Sequence, residues 1–167
     1  MQTLTRAAGI EVRPARRTDL PALQALLGRC SPATLHRRFH GVAGAGALRE
    51  LERIAAPTDR HRSWVAVGSD GAIHGTGTLA WGPTGTVEVA FVVEDAQRRR
   101  GIGRDLVDAA RTEARRAGLV TVTATIQGDN VAATHFLRAV VPGVAVRFAD
   151  GDLVATLPVG RATEVAA

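Results

Sequence analysis

The sequence predicts one α/β (α+β) domain in which helices and strands alternate around a β-meander. Three observations carry this. Apolar residues recur with helical period in some stretches and with strict alternation in others. Three apolar runs follow one another with only turn signals between them, at Asp70-Gly71 and Gly82-Pro83. The chain has 167 residues and 46% hydrophobic content, one domain's worth and enough to bury a core. The domain is expected to span residues 1–167, with its core at about 10–159 and frayed ends at 1–8 and 160–167. No linker, internal repeat or low-complexity tract divides it.

Each element has its own signal. IEVRPA from Ile10 reads as a first strand. In RTDLPALQALLGRC, Thr18 or Asp19 can cap a helix whose first turn suits Pro21, and Leu20, Leu23, Leu26 and Leu27 share one face. Ser31-Pro32 restarts a helix in SPATLHRRFH, and ALRELERIAA from Ala47 is a third helical piece. After PTDRHR come SWVAVGS from Ser63, AIHGTGTLAW from Ala72 and TVEVAFVVE from Thr86, an antiparallel meander. A long helix runs from Gly101 to about Ala117 and stops at Gly118. VTVTATIQ from Val120 alternates as a strand, and Asn130 can cap the short helix VAATHFLRAV. VAVRFADGDLVATLPV from Val144 forms a hairpin turning at Asp150-Gly151.

Composition removes several function classes. The formal net charge of +5 makes acidic partners candidates. All 21 basic residues are arginine, however, and the chain is rich in Ala, Gly and Val, as a GC-rich coding bias would produce, so arginine number alone argues little. Aromatic residues, at 4%, are too few for the stacking surface of a nucleic-acid binder. The start, MQTLTRAAGIEVR, lacks the apolar run of a signal peptide and no stretch is long enough to span a bilayer, so a cytoplasmic protein with no membrane association is expected. Cys30 stands alone, which excludes an internal disulfide and a cysteine-built metal site. It reads as a small core hydrophobe rather than a nucleophile. His36, His40 and His61 have no metal-ligand spacing, and no metal is expected.

The chemistry concentrates in VVEDAQRRRGIGRDLVDAARTEARRAG from Val92. A strand that ends, turns through glycines and starts a helix leaves the first helical N–H groups pointing into one place. The helix dipole adds partial positive charge there, so a diphosphate is the natural guest. Gly101 and Gly103 carry no Cβ to keep a phosphate from the main chain, and neighbouring arginines add charge-assisted bonds. The spacing lacks the third glycine of a dinucleotide fingerprint and the Gly-Lys-Ser/Thr of a P-loop.

Arg98-Arg99-Arg100-Gly101-Ile102-Gly103 resembles the Arg/Gln-x-x-Gly-x-Gly/Ala signature that the GNAT superfamily of acyl-CoA-dependent N-acyltransferases carries after its fourth strand. NVAATHF is similar to that family's Asn-x-x-Ala segment, with Asn130 and Ala133 in the matching positions, and the order of strands and helices agrees from about Ile10 to Val159. The resemblance implies a mixed, mostly antiparallel, strongly twisted sheet with helices on both faces, splaying after the fourth strand, usually at a bulge. It implies acetyl-CoA as cosubstrate, its pantetheine arm paired with the main chain of Phe91, Val92 and Val93 in the manner of an added strand. The pyrophosphate would lie on the amides of Arg98, Arg99, Arg100, Gly101, Ile102, Gly103 and Arg104. Asn130 would touch the pantetheine or thioester; its plain reading is a helix N-cap.

Transfer to an amine needs a base, because an amine of pKa about 10.4 is neutral in only about one molecule in a few thousand at pH 7. Glu88 lies on the opposite strand face from Val87, Val89 and Phe91 and matches the position where several members carry a general base; the other reading is a solvent-facing glutamate. A main-chain N–H near Val92 or Val93 would steady the oxyanion. The tyrosine that the family often places seven residues after the asparagine is Leu137 here, although a thiol of pKa about 8.5 is a tolerable leaving group unaided. His135 points to a different side at helical spacing, and His74 has no assigned role. The segment around Pro142-Gly143 departs from the family's glycine-aromatic ending.

The acceptor is expected to be a primary amine on a small molecule or a protein. SPATLHRRFH resembles the equivalent helix of bacterial protein-lysine acetyltransferases, while Arg37 and Arg38 are open between binding a small substrate's carboxylate and forming a solvated helix face. The expected function is N-acetyl transfer by direct attack of the amine; the alternative is a catalytically weak CoA-binding sensor or regulatory module. The oligomeric state is open, a homodimer included.

Overall fold

The structure, a computed structural model, describes residues 9–39 and 44–160. His40 and almost all of the ends expected to fray lie outside the described residues. The elements follow as β1 (Ile10–Pro14), α1 (Leu20–Arg29), α2 (Pro32–Phe39), α3 (Ala45–Ala55), β2 (His61–Gly68), β3 (Ile73–Trp81), β4 (Val87–Val93), α4 (Ile102–Arg116), β5 (Thr121–Gln127), α5 (Val131–Val140), β6 (Ala145–Ala149) and β7 (Asp152–Pro158). All the expected elements are present; β2 starts two residues before Ser63, where Thr58 and His61 bridge. No helix among the described residues is long and apolar enough to cross a membrane.

The strands form one sheet in the order β1-β2-β3-β4-β5-β7-β6, antiparallel throughout except where β4 and β5 run parallel. Alternation along the strands sends side chains to two cores. Val87 and Val89 join Ile102, Leu106, Val107 and Ala110 of α4 and Leu137 of α5 on one face. Val65, Ile73 and Val92 join Leu23 and Leu26 of α1 and Leu51 and Ile54 of α3 on the other. Helical spacing of i, i+3 and i+4 on each helix supplies the matching stripe.

Two glycines let α4 lie close to the middle of the sheet. A Cβ at Gly77 would stand 2.9 Å from the Phe91 ring, and one at Gly75 would stand 2.8 Å from the Val92 carbonyl and 3.2 Å from Leu106. Any larger residue would push α4 and β4 off β3, and with them the loop that joins the two.

Two expectations need correction. Asp19 precedes α1 but its side chain does not cap it. The carboxylate takes both terminal nitrogens of Arg13 at 2.8 Å and the Arg16 N–H at 2.8 Å, because a bidentate guanidinium is a better partner than a helix amide. The bulge expected near the splay is also absent from the β3–β4 ladder, which keeps unbroken register from Gly75 opposite Val93 to Trp81 opposite Val87. The register shift lies instead between Ala66 and Val67, in the β2–β3 pair. β4 keeps its register with β3 along its whole length, while it pairs with β5 at one rung.

The Arg13 guanidinium holds the Asp19 carboxyl below the usual carboxylate range. A depressed folded value means that the contribution is complete above the unfolded value of about 3.9 and is lost as the pH falls through the folded one. Asp19→Asn should therefore cost about 2 kcal/mol in urea unfolding at pH 7, and the gap from the unsubstituted protein should shrink as the pH falls below about 4.

Candidate active site

β4 and β5 meet at one rung, Glu88 opposite Thr123. The Thr123 hydroxyl donates to the Val87 carbonyl at 3.3 Å beside it. From Val89 to Val93, β4 has β3 on one side and no strand on the other among the described residues. Successive residues of an antiparallel ladder turn their N–H and C=O groups to opposite sides. Glu94 donates its N–H to the His74 carbonyl at 3.0 Å, on the β3 side, so Val92 two residues earlier faces β3 as well. Phe91 and Val93 turn their main-chain groups to the gap. Of the three positions expected to pair with a pantetheine, two face it; Val92 serves the β3 ladder, and its side chain, 5% exposed, enters the core.

Past β4 the chain makes a short 3-10 turn, Asp95–Gln97, and reaches the arginine run. Arg99 at φ 62° and Gly101 at φ 88° are both left-handed, which curls successive amides into a concave nest. That conformation is free for glycine and strained for arginine, a cost met with at binding loops. Gly101 is the N-cap of α4, and its carbonyl takes the Asp105 N–H at 3.1 Å. No main-chain acceptor among the described residues takes the N–H of Arg99, Arg100, Gly101, Ile102, Gly103 or Arg104. These are the orphan donors of a helix start, at the positive end of its dipole. Gly103 is small for a further reason: a Cβ there would stand 3.0 Å from the Phe136 ring, so its absence lets α5 pack on the first turn of α4.

The arginine side chains divide. Arg98 is engaged by the Thr34 hydroxyl of α2 and by Asp95 at 3.1 Å. Arg100 donates to Gln97, and Arg99 and Arg104 are exposed. Asp95 in turn accepts from the Ser31 N–H at 2.8 Å, the Ser31 hydroxyl at 3.2 Å and the Thr34 hydroxyl at 2.8 Å. Desolvation pushes the Asp95 carboxyl up, but these donors and Arg98 outweigh it and hold it below its ordinary value. A carboxylate from the end of β4 thus holds the start of α2 from across the fold, while the Ser31 hydroxyl accepts the Thr34 N–H at 3.3 Å. Its neighbour Glu94, 3% exposed, takes Arg29 from the end of α1 and lies 3.0 Å from Nδ1 of His74.

The remaining expected residues separate into structural and free. Glu88 is exposed, on the sheet face that carries α2 and α3. Asn130 does cap α5, its Oδ1 accepting the Ala133 N–H at 3.2 Å, which leaves its amide nitrogen as a donor. Leu137 is buried, His135 and His36 are exposed, and no group of three metal-ligating side chains exists among the described residues. A cavity of about 230 Å³ lies beside the loop, lined by Asp70, His74, Gln97 and Arg100 among others, and not in the β4–β5 gap.

Burial, with the charges of Asp95 and Glu94 behind it, pushes the Cys30 thiol up to about 11. It is no nucleophile at neutral pH. Asp95, Ser31, Thr34 and Glu94 were not expected from the sequence. Their bonds join segments 61 to 65 residues apart, and no local pattern encodes such a pairing.

The sequence matches the acetyltransferase (GNAT) family over residues 22–140. The fold is similar to that of the GNAT domain of S. lividans PAT, with a TM-score of 0.80 at 20% identity over 94% of this chain and 96% of that one. It is also similar to yncA from Salmonella typhimurium, solved with acetyl-CoA, with a TM-score of 0.71 at 22% identity over 91% of this chain and 95% of that one. The paia N-acetyltransferase from Thermoplasma acidophilum, in complex with coenzyme A, gives a TM-score of 0.68 at 16% identity over 89% and 98%. At these identities the likeness is one of fold. A search of curated protein sequences finds no significant match.

Two outcomes check this geometry. Gly101→Ala should destabilise the protein by about 1–2 kcal/mol, the cost of a Cβ in the left-handed region, as measured by urea unfolding. Cys30 should react with iodoacetamide at pH 8 far more slowly in the native protein than in urea, as followed by intact mass.

Proposed function

Since the chain belongs to the acetyltransferase (GNAT) family, we propose that it is an N-acetyltransferase that moves an acetyl group from acetyl-CoA to a primary amine by direct attack. The observation that carries this reading is a set of free main-chain groups in two places, Phe91 and Val93 on the open edge of β4 and the N–H groups of Arg99 to Arg104 at the start of α4. Between them Glu94, Gln97 and Arg98 donate to main-chain carbonyls, so the expected Arg98 amide is already taken. A pantetheine arm needs amide partners along an extended path, and a diphosphate needs several N–H groups converging at its end. The open edge of β4 suits the first requirement and the start of α4 the second.

The residues then divide the work. Phe91 and Val93 offer N–H and C=O groups to the pantetheine amides, and a β4 N–H lies beside the thioester oxygen. The nest from Arg99 to Arg104 binds the pyrophosphate, with the exposed guanidiniums of Arg99 and Arg104 adding charge. The free amide nitrogen of Asn130 donates to the arm. Glu88, at the last rung before the strands part, takes the proton of the acceptor amine, directly or through one water. The coenzyme, when bound, supplies an acetyl thioester. The acceptor is a small-molecule or protein amine, and it enters on the side of the sheet covered by α2.

A second reading rests on one observation. The position that would hold a proton donor for the departing sulfur is the buried Leu137, which suits a catalytically weak CoA-binding sensor. Calorimetry with free CoA and a thiol-release assay with a panel of primary amines separate the outcomes. Binding with amine-dependent thiol release supports the enzyme. Binding without it, across amines and protein extract, supports the sensor, and no heat of binding removes both. In the same assay Glu88→Gln should lower kcat by about a hundredfold or more and leave CoA affinity unchanged. Unchanged turnover would remove Glu88 from its role.

A further inference from the structure

On the sheet face that carries Glu88, four residues stand in a row across four strands. His61 of β2 is opposite Ala80 of β3, Ala80 is opposite Glu88 of β4, and Glu88 is opposite Thr123 of β5. Residues directly opposite one another point to the same face. Strands lie about 4.8 Å apart, so His61 and Glu88 are rooted about 10 Å from each other with only the methyl group of Ala80 between them. α2 packs on β4 and α3 on β2, and together they bring a charged pair to this row.

Arg38 of α2 donates through Nη2 to Oε1 of Glu50 of α3 at 3.3 Å. Nε2 of His61 lies 3.7 Å from the same oxygen, and the Ser63 hydroxyl lies 3.4 Å from the other ring nitrogen of His61. Arg53 closes the outer side of Glu50 at 3.3 Å. The Arg38 side chain is only 11% exposed, and its buried Nε has no hydrogen-bond partner. Arg37, beside it in sequence, is exposed. Burial pushes the Arg38 guanidinium down, and Glu50 first, then Glu88, work to keep it charged. A buried, incompletely paired cation is a poor way to fill space, since an apolar side chain of the same size does so without the desolvation cost. What the cation adds is a fixed positive charge on the sheet face that carries Glu88, the one carboxylate of this row.

We propose that Arg38 is a positioning residue for Glu88: held by Glu50, whose same oxygen His61 approaches from β2, its guanidinium attracts the Glu88 carboxylate and biases it toward the mouth of the β4–β5 gap, where the acceptor amine meets the thioester. The inference rests on the reading of Glu88 as the base. It assigns Arg38 to neither of the roles open from the sequence, a carboxylate binder or a solvated helix face.

The test is thiol release from acetyl-CoA at pH 7.5, with lysine methyl ester, spermidine and a lysine-containing peptide as acceptors. It compares the unsubstituted protein with Glu88→Gln, Arg38→Met, Arg38→Lys, Glu50→Gln and Arg37→Met, each also followed by thermal unfolding. Arg38→Met should lower kcat about ten- to a hundredfold, the effect of a misplaced catalytic group, with KM for acetyl-CoA unchanged. Arg38→Lys should recover part of that loss, Glu50→Gln should lower kcat several-fold and Arg37→Met should change nothing. Full kcat in Arg38→Met, alongside an impaired Glu88→Gln, overturns the inference alone. A loss that Arg38→Lys does not relieve overturns it too, since the role is then one of packing. Should Arg38→Met fail to fold, full kcat in Glu50→Gln overturns it. Full activity in Glu88→Gln, or none in the unsubstituted protein, overturns the reading beneath it.

Discussion

The single rung between β4 and β5 is the constraint on which the rest of the molecule depends. Each strand is paired along its length with another neighbour, β4 with β3 and β5 with β7. Neither needs the other for its own ladder, so they can part after Glu88 and Thr123 without leaving most of their hydrogen bonds unmade. An unpaired edge is ordinarily a liability because it invites another sheet. Here it lies inside the sheet order, between β4 and β5, where a second sheet cannot dock and a thin extended chain can. The parallel pairing matters as well, because a parallel connection needs a crossover helix. That helix is α4, and its start, with its free amides, falls at the open end of the gap.

The two carboxylates that follow β4 tie the outer helices to this opening. Glu94 holds Arg29, the last residue of α1, and Asp95 holds the start of α2 through Ser31 and Thr34. α2 then joins the two ends of the candidate site. Thr34 meets Arg98 of the loop, and Arg38, four residues later and so on the same helical face, meets Glu50 and lies in the field of Glu88. One helix of eight residues therefore registers both the amide nest and the proposed base. A shift of α2 by a fraction of a turn would disturb both together.

What the sequence made legible was local. Periodicity located every helix and strand, because alternation and helical stripes are set within a few residues. Asn130 as a cap and Asp150-Gly151 as a hairpin turn, at φ 52° and 91°, follow from the same short-range chemistry. The arginine-glycine run located the nest, since free amides at a helix start follow from chain geometry alone. What stayed hidden depended on partners far away in sequence. Asp19 was expected to cap α1 and turned instead to Arg13. Arg37 and Arg38 are the same residue type in adjacent positions, yet one is exposed and the other is largely covered and paired with Glu50 of α3. Val92 was grouped with Phe91 and Val93, although the choice between them depends on which residues of β4 face β3, a register no single strand reveals. For the same reason the splay could be expected while its cause could not: the ladder that would have held a bulge runs straight.

The distribution of charge around the gap bears on the missing tyrosine. In the proposed transfer two protons need a place: the amine must lose one, and the departing sulfur can gain one. The two demands are unequal. An amine of pKa about 10.4 holds its proton firmly at neutral pH, whereas a thiol of pKa about 8.5 leaves as an anion that water can later protonate. The described residues are arranged in the same unequal way. Glu88, Arg38, Glu50 and His61 gather on the face where an amine would arrive. On α5, where a donor to sulfur would stand, Leu137 is 4% exposed and packed into the core, and His135 points to solvent. A residue that fills the core cannot also move a proton, so under the proposed transfer the ionisable groups stand at the harder of the two proton transfers and the easier one is left to solvent.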